Sequence, residues 1–242
     1  MPDSVSNNKR IAKNTLLLYG RMLLIMAVSL YTSRVVLNTL GVEDYGIYNV
    51  VGSVVTMFAF LNGALITTTQ RYLTFELGKG DFEQLKKVFT ASVCIHAIIA
   101  LCIVILAETA GLWFFCNKMV VPETRMTAAM WVYQFSIVTM VIQVMSAPYN
   151  SIIVSHERMG VFAVISILET SLKLAIVYVL LIYSGDKLIL YSILVAAVQL
   201  FIALVYTQYC KRNFEESVLV KGVNRSLLVE IGKFAGWNIW GN

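Results

Sequence analysis

The sequence predicts an all-α integral membrane protein, built as a six-helix transmembrane lobe plus the start of a seventh helix. Two observations predict this class. The chain of 242 residues is 58% hydrophobic and only 14% charged, with a mean hydropathy of +0.74, whereas soluble domains contain about 25% charged residues. The charged residues are also clustered, and the apolar segments between the clusters reach the length of membrane-spanning helices.

Six segments reach the roughly 20 residues needed to cross the hydrocarbon core. They are residues 14–40, 47–70, 89–115, 126–154, 161–184 and 188–209. The apolar run after the polar residues 1–13 is too long for a signal-peptide core and lacks a small-residue cleavage pattern, so we expect it to stay in the membrane. The predicted organisation is a cytoplasmic segment at 1–13, a lobe at 14–210, a linker at 211–226 and a truncated seventh span at 227–242.

The placement of basic residues predicts the orientation of these spans. With a cytoplasmic N-terminus, 13 of the 19 basic residues fall in inner segments, 3 in outer connections and 3 within spans. Such an excess on one side is typical of the cytoplasmic face of membrane proteins. We therefore expect a multi-pass protein with its N-terminus in the cytoplasm. The net charge of +5 then reports topology, and no nucleic-acid partner is expected.

Motifs for catalysis or metal binding are missing from the sequence. Its four cysteines show no metal-ligand spacing. The two histidines are His96 and His156, and the segment SHERMG lacks the second histidine of a HExxH zinc site. No phosphate-binding glycine loop is present. The sequence therefore predicts no catalytic residue and no metal site, and an enzyme is not expected.

Polar residues recur at helical spacing within the predicted spans. In the fifth span, Ser166, Glu169, Thr170 and Lys173 follow the spacing i, i+3, i+4, i+7, so they share one face. Two explanations stay open: small and polar residues line ordinary interfaces between membrane helices, and ionisable residues in spans line water-accessible cavities. On the second explanation, the candidate cavity residues are Arg21, Asn49, Gln143, Asn150, Glu169, Lys173 and Gln199.

Three features of the spans have both a structural and a functional interpretation. Glu169 and Lys173 stand in the favourable i, i+4 order, so they form an ion pair that sets helix register or line a translocation path. Glu169 and His96 are candidates for a proton relay, although a lone histidine among apolar neighbours is also typical of packing. Pro148 interrupts the fourth span and is either a hinge or a static kink.

Three segments resemble bacterial polysaccharide flippases, which belong to the multidrug/oligosaccharidyl-lipid/polysaccharide exporter superfamily. The segment YTSRVVLNTLGVEDYGIYNVVGSVV at 31–55 is similar to the junction of the first two spans in that family. The segment at 67–89 is similar to its first cytoplasmic loop, and the segment at 146–174 to its connection between the fourth and fifth spans. The stretch EIGKFAGWNIWGN at 230–242 resembles the opening of a seventh span, so the likeness covers essentially the whole chain.

The resemblance implies a fold and a cargo. Family members carry two six-helix lobes around a central cavity in the bacterial cytoplasmic (inner) membrane. By alternating access they move undecaprenyl-pyrophosphate-linked oligosaccharides, such as O-antigen units of lipopolysaccharide, from the cytoplasmic to the periplasmic leaflet. The implied partners are this lipid-linked oligosaccharide, membrane lipids and a carboxyl-terminal lobe missing from this chain. No cofactor is implied, but proton or sodium coupling is a candidate.

Other readings stay open beside the flippase. A cation-coupled multidrug exporter would share the fold, and it would place unpaired carboxylates in the cavity. A half-transporter would dimerise to rebuild two lobes. A membrane-embedded acyl- or glycosyltransferase is a remote alternative, because it needs a constellation of catalytic groups at a membrane face.

Overall fold

The structure is a computed structural model that describes the backbone of residues 2–220, 222 and 225–241. It also describes their side chains, except those of residues 2–14, 17, 59–61 and 239–241. The described residues form helices and connections, without a strand. The helices are α1 (Pro2–Thr56), α2 (Ala59–Lys79), α3 (Phe82–Leu106), α4 (Leu112–Lys118), α5 (Met126–Ser155), α6 (Met159–Ile182), α7 (Lys187–Asn213) and α8 (Arg225–Gly241).

A glycine divides α1 at the predicted junction of the first two spans. Gly41 has φ 82° and ψ 167°, a combination that is open essentially to glycine alone because it has no Cβ. The helix is therefore interrupted between residues 2–40 and residues 42–56. This break falls between the predicted spans at 14–40 and 47–70.

The prediction of six spanning helices is not confirmed. Five helical segments among the described residues are long and apolar enough to cross a membrane: Leu18–Thr56, Phe82–Lys118, Glu123–Ser155, Met159–Ile182 and Lys187–Asn213. The predicted second span, 47–70, is divided between the end of α1 and the start of α2, with a turn at Met57 and Phe58. Within its 21 residues α2 carries Arg71, Glu76 and Lys79. No stretch of α2 is therefore long and apolar enough to cross a membrane by itself.

The third predicted span, 89–115, lies within one continuous helical segment that contains a π-helical turn. This turn, Ala107–Gly111, joins α3 to α4. The Tyr133 hydroxyl from α5 donates a 2.7 Å hydrogen bond to the Ala107 carbonyl oxygen. A Cβ added at Gly111 would collide with that same hydroxyl oxygen. The π turn and the glycine together let the two helices pack closely at this point.

Helix α5 lies at the centre of the bundle, where it packs on α1, α2, α3 and α7, while α6 packs mainly on α1 and α7. Two apolar cores lie along α5. One, near its Arg125 end, includes Val51, Phe115, Tyr133 and Leu188. The other, near its His156 end, includes Leu73, Phe89, Ile152 and Phe214. With 30 residues, α5 extends about 45 Å at 1.5 Å per residue, enough to cross a bilayer.

The segment after α7 folds back under the bundle at the His156 end. A 3₁₀ turn at Glu215–Ser217 follows α7, and the Val220 amide donates to the Thr90 hydroxyl on α3. Helix α8 then packs on α2 and α3. The predicted linker, 211–226, includes this turn, and its residues 221, 223 and 224 lie outside the described residues, as does the last residue of the predicted 227–242 segment.

Candidate functional site

The first candidate site is a polar groove of about 340 Å³ between α1, α5 and α7, called here the neutral groove. Its polar lining residues carry hydroxyl or amide groups and no formal charge. They are Tyr48, Asn49, Ser53 and Thr56 from α1, Ser136, Thr139 and Gln143 from α5, and Ser192 from α7. Asn49 and Gln143 were both predicted as cavity residues, and the structure brings them to one groove.

The hydroxyl groups in the neutral groove present acceptors to its interior. Ser53, Thr139 and Ser192 each donate their hydroxyl proton to a backbone carbonyl of their own helix, at 2.7–2.8 Å. A hydroxyl has one proton and two acceptor lone pairs. Because the proton is already used, the oxygen is left as an acceptor. The neutral groove therefore suits a cargo that is rich in hydrogen-bond donors.

A second groove, called here the charged groove, lies between α1, α6 and α7 and has a volume of about 350 Å³. Glu169 and Lys173 line it, and the Lys173 Nζ lies 2.6 Å from Glu169 Oε1. The side chains are 43% exposed for Lys173 and 27% exposed for Glu169, so this pair faces the open groove. The rest of its polar lining consists of hydroxyl-bearing residues, which are Ser29, Thr32, Ser33, Ser166, Thr170 and Tyr191.

Arg21 lies beside the charged groove and adds a positive charge to it. Its Nη1 donates to the Ser166 hydroxyl at 3.1 Å, and its guanidinium stacks over the Phe162 ring at 4.3 Å. Among the described residues it has no carboxylate partner, and its Nε is buried without a hydrogen bond. Since Glu169 and Lys173 offset each other, the charged groove and its rim carry one net positive charge.

Two tyrosines stand between the two grooves. Tyr48 lines the neutral groove, and Tyr191 lines the charged groove. Their ring centroids are 4.7 Å apart at an interplanar angle of 63°, an edge-to-face contact that aromatic pairs favour. The two grooves are therefore neighbours separated by this aromatic contact.

An ionic cluster, called here the Arg125 clamp, ties three helix starts together at one end of the bundle. The Arg125 guanidinium binds Asp44 through Nε and Nη2 at 2.8 and 2.6 Å. It also binds Asp186 through Nη1 and Nη2 at 2.8 and 3.2 Å. Such fork geometry gives the strongest type of ion pair. Asp44 follows the break at Gly41, Arg125 precedes α5, and Asp186 caps α7 through the Leu188 and Ile189 amides.

The clamp also sets the protonation of Asp186, which lies in the connection before α7. Burial alone would raise the pKa of this carboxyl, but hydrogen bonds from the Arg125 guanidinium and from the Ile189 and Leu188 amides outweigh it. The pKa of Asp186 is consequently lowered from its ordinary value of 3.8. The carboxylate thus stays charged, which the clamp requires.

A second ionic contact, called here the His156 latch, lies at the opposite end of α5. The His156 Nε2 is paired with the buried Glu216 carboxylate, and the imidazole stacks on Phe214 at 4.3 Å. Burial would raise the pKa of Glu216, but the hydrogen bond and charge of His156 lower it below its ordinary value of 4.5. The latch joins the α5–α6 turn to the segment that follows α7.

Besides Arg21, which lies beside the charged groove, four of the predicted site residues line neither groove. Gln199 is buried on α7, and Asn150 is half-buried on α5. His96 is fully buried on α3, where its Nδ1 contacts the Ser92 carbonyl at 2.8 Å. Because α3 contributes no lining residue to the charged groove, the structure does not bring His96 to Glu169 as a relay would need. At Pro148, α5 continues as a helix to Ser155.

The Arg125 clamp and the tyrosine pair were not foreseen from the sequence. Asp44 and Asp186 each stand near a helix start, in GVEDYG and SGDK, which is a weak local signal for capping, and Arg125 ends the segment PETR just before α5. Their pairing joins residues 61 and 81 positions apart, and no sequence spacing reveals such a contact. Among the described residues, no cluster of His, Cys, Asp and Glu could hold a metal ion.

Comparison with models of known protein families, with characterised proteins and with solved structures gave no match. The resemblance to polysaccharide flippases therefore stays a prediction from the sequence.

Proposed function

We propose that this chain is the amino-terminal lobe of a transporter that moves an undecaprenyl-pyrophosphate-linked oligosaccharide across the bacterial cytoplasmic membrane. The observation that carries the proposal is the pair of adjacent grooves, each lined by polar as well as apolar groups, in a bundle of helices that are apolar enough to span a membrane. Placing polar and charged groups in the hydrocarbon core of a bilayer costs free energy, so we expect grooves of this kind to serve a polar cargo or a water path.

The chemistry of the two grooves supports a cargo with two different parts. The neutral groove offers hydroxyl oxygens as acceptors, which match the many hydroxyl donors of a sugar. The charged groove has Arg21 on its rim, and a guanidinium binds phosphate oxygens well through its planar donors. An oligosaccharide joined to a pyrophosphate carries both kinds of group.

The ion pair in the charged groove disfavours a drug exporter of the same fold. A cationic drug needs a carboxylate that is free to receive it. Here Glu169 is already held by Lys173 at 2.6 Å, and Arg21 makes the local net charge positive. This distribution favours an anionic cargo over a cationic one.

In the proposed mechanism, the lobe moves as a unit against a second lobe, so that the grooves face each side of the membrane in turn. The Arg125 clamp and the His156 latch support this, because each ties the ends of several helices together. The N-terminus lies in the cytoplasm in this proposal, as the basic residues predict. No covalent step is involved.

The test is a double substitution, Glu169→Gln with Lys173→Met, in the full-length gene product. We expect loss of the surface polysaccharide while membrane insertion and protein level stay unchanged. The matched control is Glu83→Gln with Lys86→Met, which removes an i, i+3 ion pair outside both grooves, between exposed Glu83 and partly buried Lys86. Export should survive in that control. Normal export from the groove variant would instead reduce Glu169 and Lys173 to packing residues.

A further inference from the structure

The tyrosine pair occupies a ridge between chemically different spaces. Tyr191 lines the charged groove, while its neighbour Ser192 lines the neutral groove. Helix α7 therefore presents successive residues to the two sides of the ridge. Tyr48, from α1, meets Tyr191 across it with ring centroids 4.7 Å apart.

The Arg125 clamp is attached to the same two helices close to the tyrosines. Asp44 precedes Tyr48 by four residues and Asp186 precedes Tyr191 by five, which is about 6 and 8 Å along a helix. Arg125 holds both carboxylates at once, with contacts of 2.6–3.2 Å. The separation of the helix segments that carry the two rings is thereby fixed from one end.

We propose that Tyr48 and Tyr191 form a partition that divides the site into a neutral and a charged compartment, and that Arg125, Asp44 and Asp186 are the positioning residues that keep it closed. The role of the partition in specificity rests on the proposed transport function, whereas the geometry of the partition does not. The consequence is specificity: a cargo headgroup must fit one compartment, lie across the ridge with one part in each compartment, or displace the rings.

With the partition in place, both the size and the chemistry of a headgroup determine whether it can bind. Each compartment, at about 340 or 350 Å³, lies near the lower end of the range for ligand sites. A headgroup with a sugar part and an anionic part has to lie across the ridge. There the flat apolar faces of the tyrosine rings can pack against the C–H groups of a sugar ring.

The partition can be tested without any transport assay, by cross-linking across the ridge. Thr139→Cys places a thiol in the neutral groove and Thr170→Cys places one in the charged groove, in a chain whose four native cysteines have been replaced. Bis-maleimides of increasing spacer length are applied to the full-length protein in membranes, and intramolecular cross-links are measured by mass spectrometry. The quantity compared is the shortest spacer that bridges the two thiols.

Removing the rings should shorten the bridging spacer. We expect Tyr48→Ala with Tyr191→Ala to be cross-linked by a shorter reagent than the parent, and Tyr48→Phe with Tyr191→Phe to behave like the parent because its rings remain. Should the double alanine variant fail to fold, Tyr191→Ala alone opens the ridge from one side. An unchanged bridging length in the folded ring-deletion variant would overturn the partition.

The positioning role of the clamp has its own readout. Asp186→Asn keeps a side-chain oxygen to cap α7 but removes the charge that Arg125 holds. We expect the shortest spacer that bridges the thiols in Asp186→Asn to lie between those of the parent and of the double alanine variant. Asp186→Glu keeps the charge, so its shortest spacer should be closer to that of the parent than the spacer of Asp186→Asn is. Equal bridging lengths for Asp186→Asn and the parent would remove the clamp from the proposal.

Export separates the partition from the transport proposal. With the full-length gene product, the double alanine variant should pass a wider range of oligosaccharide sizes than the double phenylalanine variant. A cross-linking change without any export from the unaltered protein would refute the transport function and leave the partition standing. A cross-linking change with an unaltered size range would refute the specificity role.

Discussion

Removal of the Arg125 guanidinium is the perturbation whose effect follows most directly from the structure. Arg125→Ala deletes four hydrogen bonds and leaves Asp44 and Asp186 as neighbouring like charges. Hydrogen bonds to charged groups contribute about 1.5–3 kcal/mol each when buried. The three side chains here are 19–32% exposed, so water and salt weaken each bond. We therefore expect a total loss of about 2 kcal/mol, well below the sum of four buried bonds.

The assay is thermal unfolding of the purified full chain in detergent, monitored by thiol labelling of buried Cys210 after the exposed Cys94, Cys102 and Cys116 have been replaced. A loss of about 2 kcal/mol corresponds to a fall in Tm of roughly 4–8 °C for a chain of this size. Arg34→Ala is the matched control, since Arg34 is an exposed arginine on α1 outside the clamp. Equal Tm values for Arg125→Ala and Arg34→Ala would refute the reasoning, because the clamp would then contribute nothing to stability.

Two further predictions concern the packing of α5. Gly111→Ala should destabilise the protein by about 1–3 kcal/mol through overpacking against the Tyr133 hydroxyl. Adding Tyr133→Phe should recover part of this loss, which a double-mutant cycle in thermal unfolding would detect. Strictly additive losses would contradict the contact. In the native protein the lowered pKa of Glu216 means that the latch stabilises above about pH 4.5 and that this contribution disappears as the pH falls through the lower folded pKa. His156→Ala leaves the buried carboxylate unpaired, so we expect a loss of about 3 kcal/mol or more at neutral pH, with the pKa of Glu216 now raised and stability improving as the pH falls towards it. The measurement is the free energy of unfolding of both proteins between pH 4 and 7, about the range in which this carboxyl would titrate. The same pH dependence in the native protein and in His156→Ala would show that the latch is absent.

The sequence predicts the class of the protein and the faces of its helices, because both depend on local pattern. Hydropathy locates the membrane-spanning segments, and helical spacing places Asn49 and Gln143 each on a polar face. In the structure these faces meet in the neutral groove. The same spacing places Glu169 and Lys173 together, and they form the ion pair.

What the sequence does not predict depends on which helices become neighbours. Gln199 was predicted as a cavity residue, but it is buried in the bundle and lines neither groove, whereas Ser192, two helical turns earlier on α7, lines the neutral groove. The Arg125 clamp joins three separate connections, so its formation depends on the fold as a whole. The second span was predicted as one helix because its average hydropathy is high, whereas the turn at Met57 and Phe58 is a local backbone feature.

In the proposed function, the charged groove serves the transport of a lipid-linked oligosaccharide. Its most direct test is reconstitution of the full-length gene product in liposomes that carry a fluorescently labelled undecaprenyl-pyrophosphate oligosaccharide in one leaflet. We predict that the label crosses to the other leaflet with the unaltered protein, and that crossing stops with Glu169→Gln and Lys173→Met. Equal crossing by the unaltered protein, this variant and protein-free liposomes would contradict the claim.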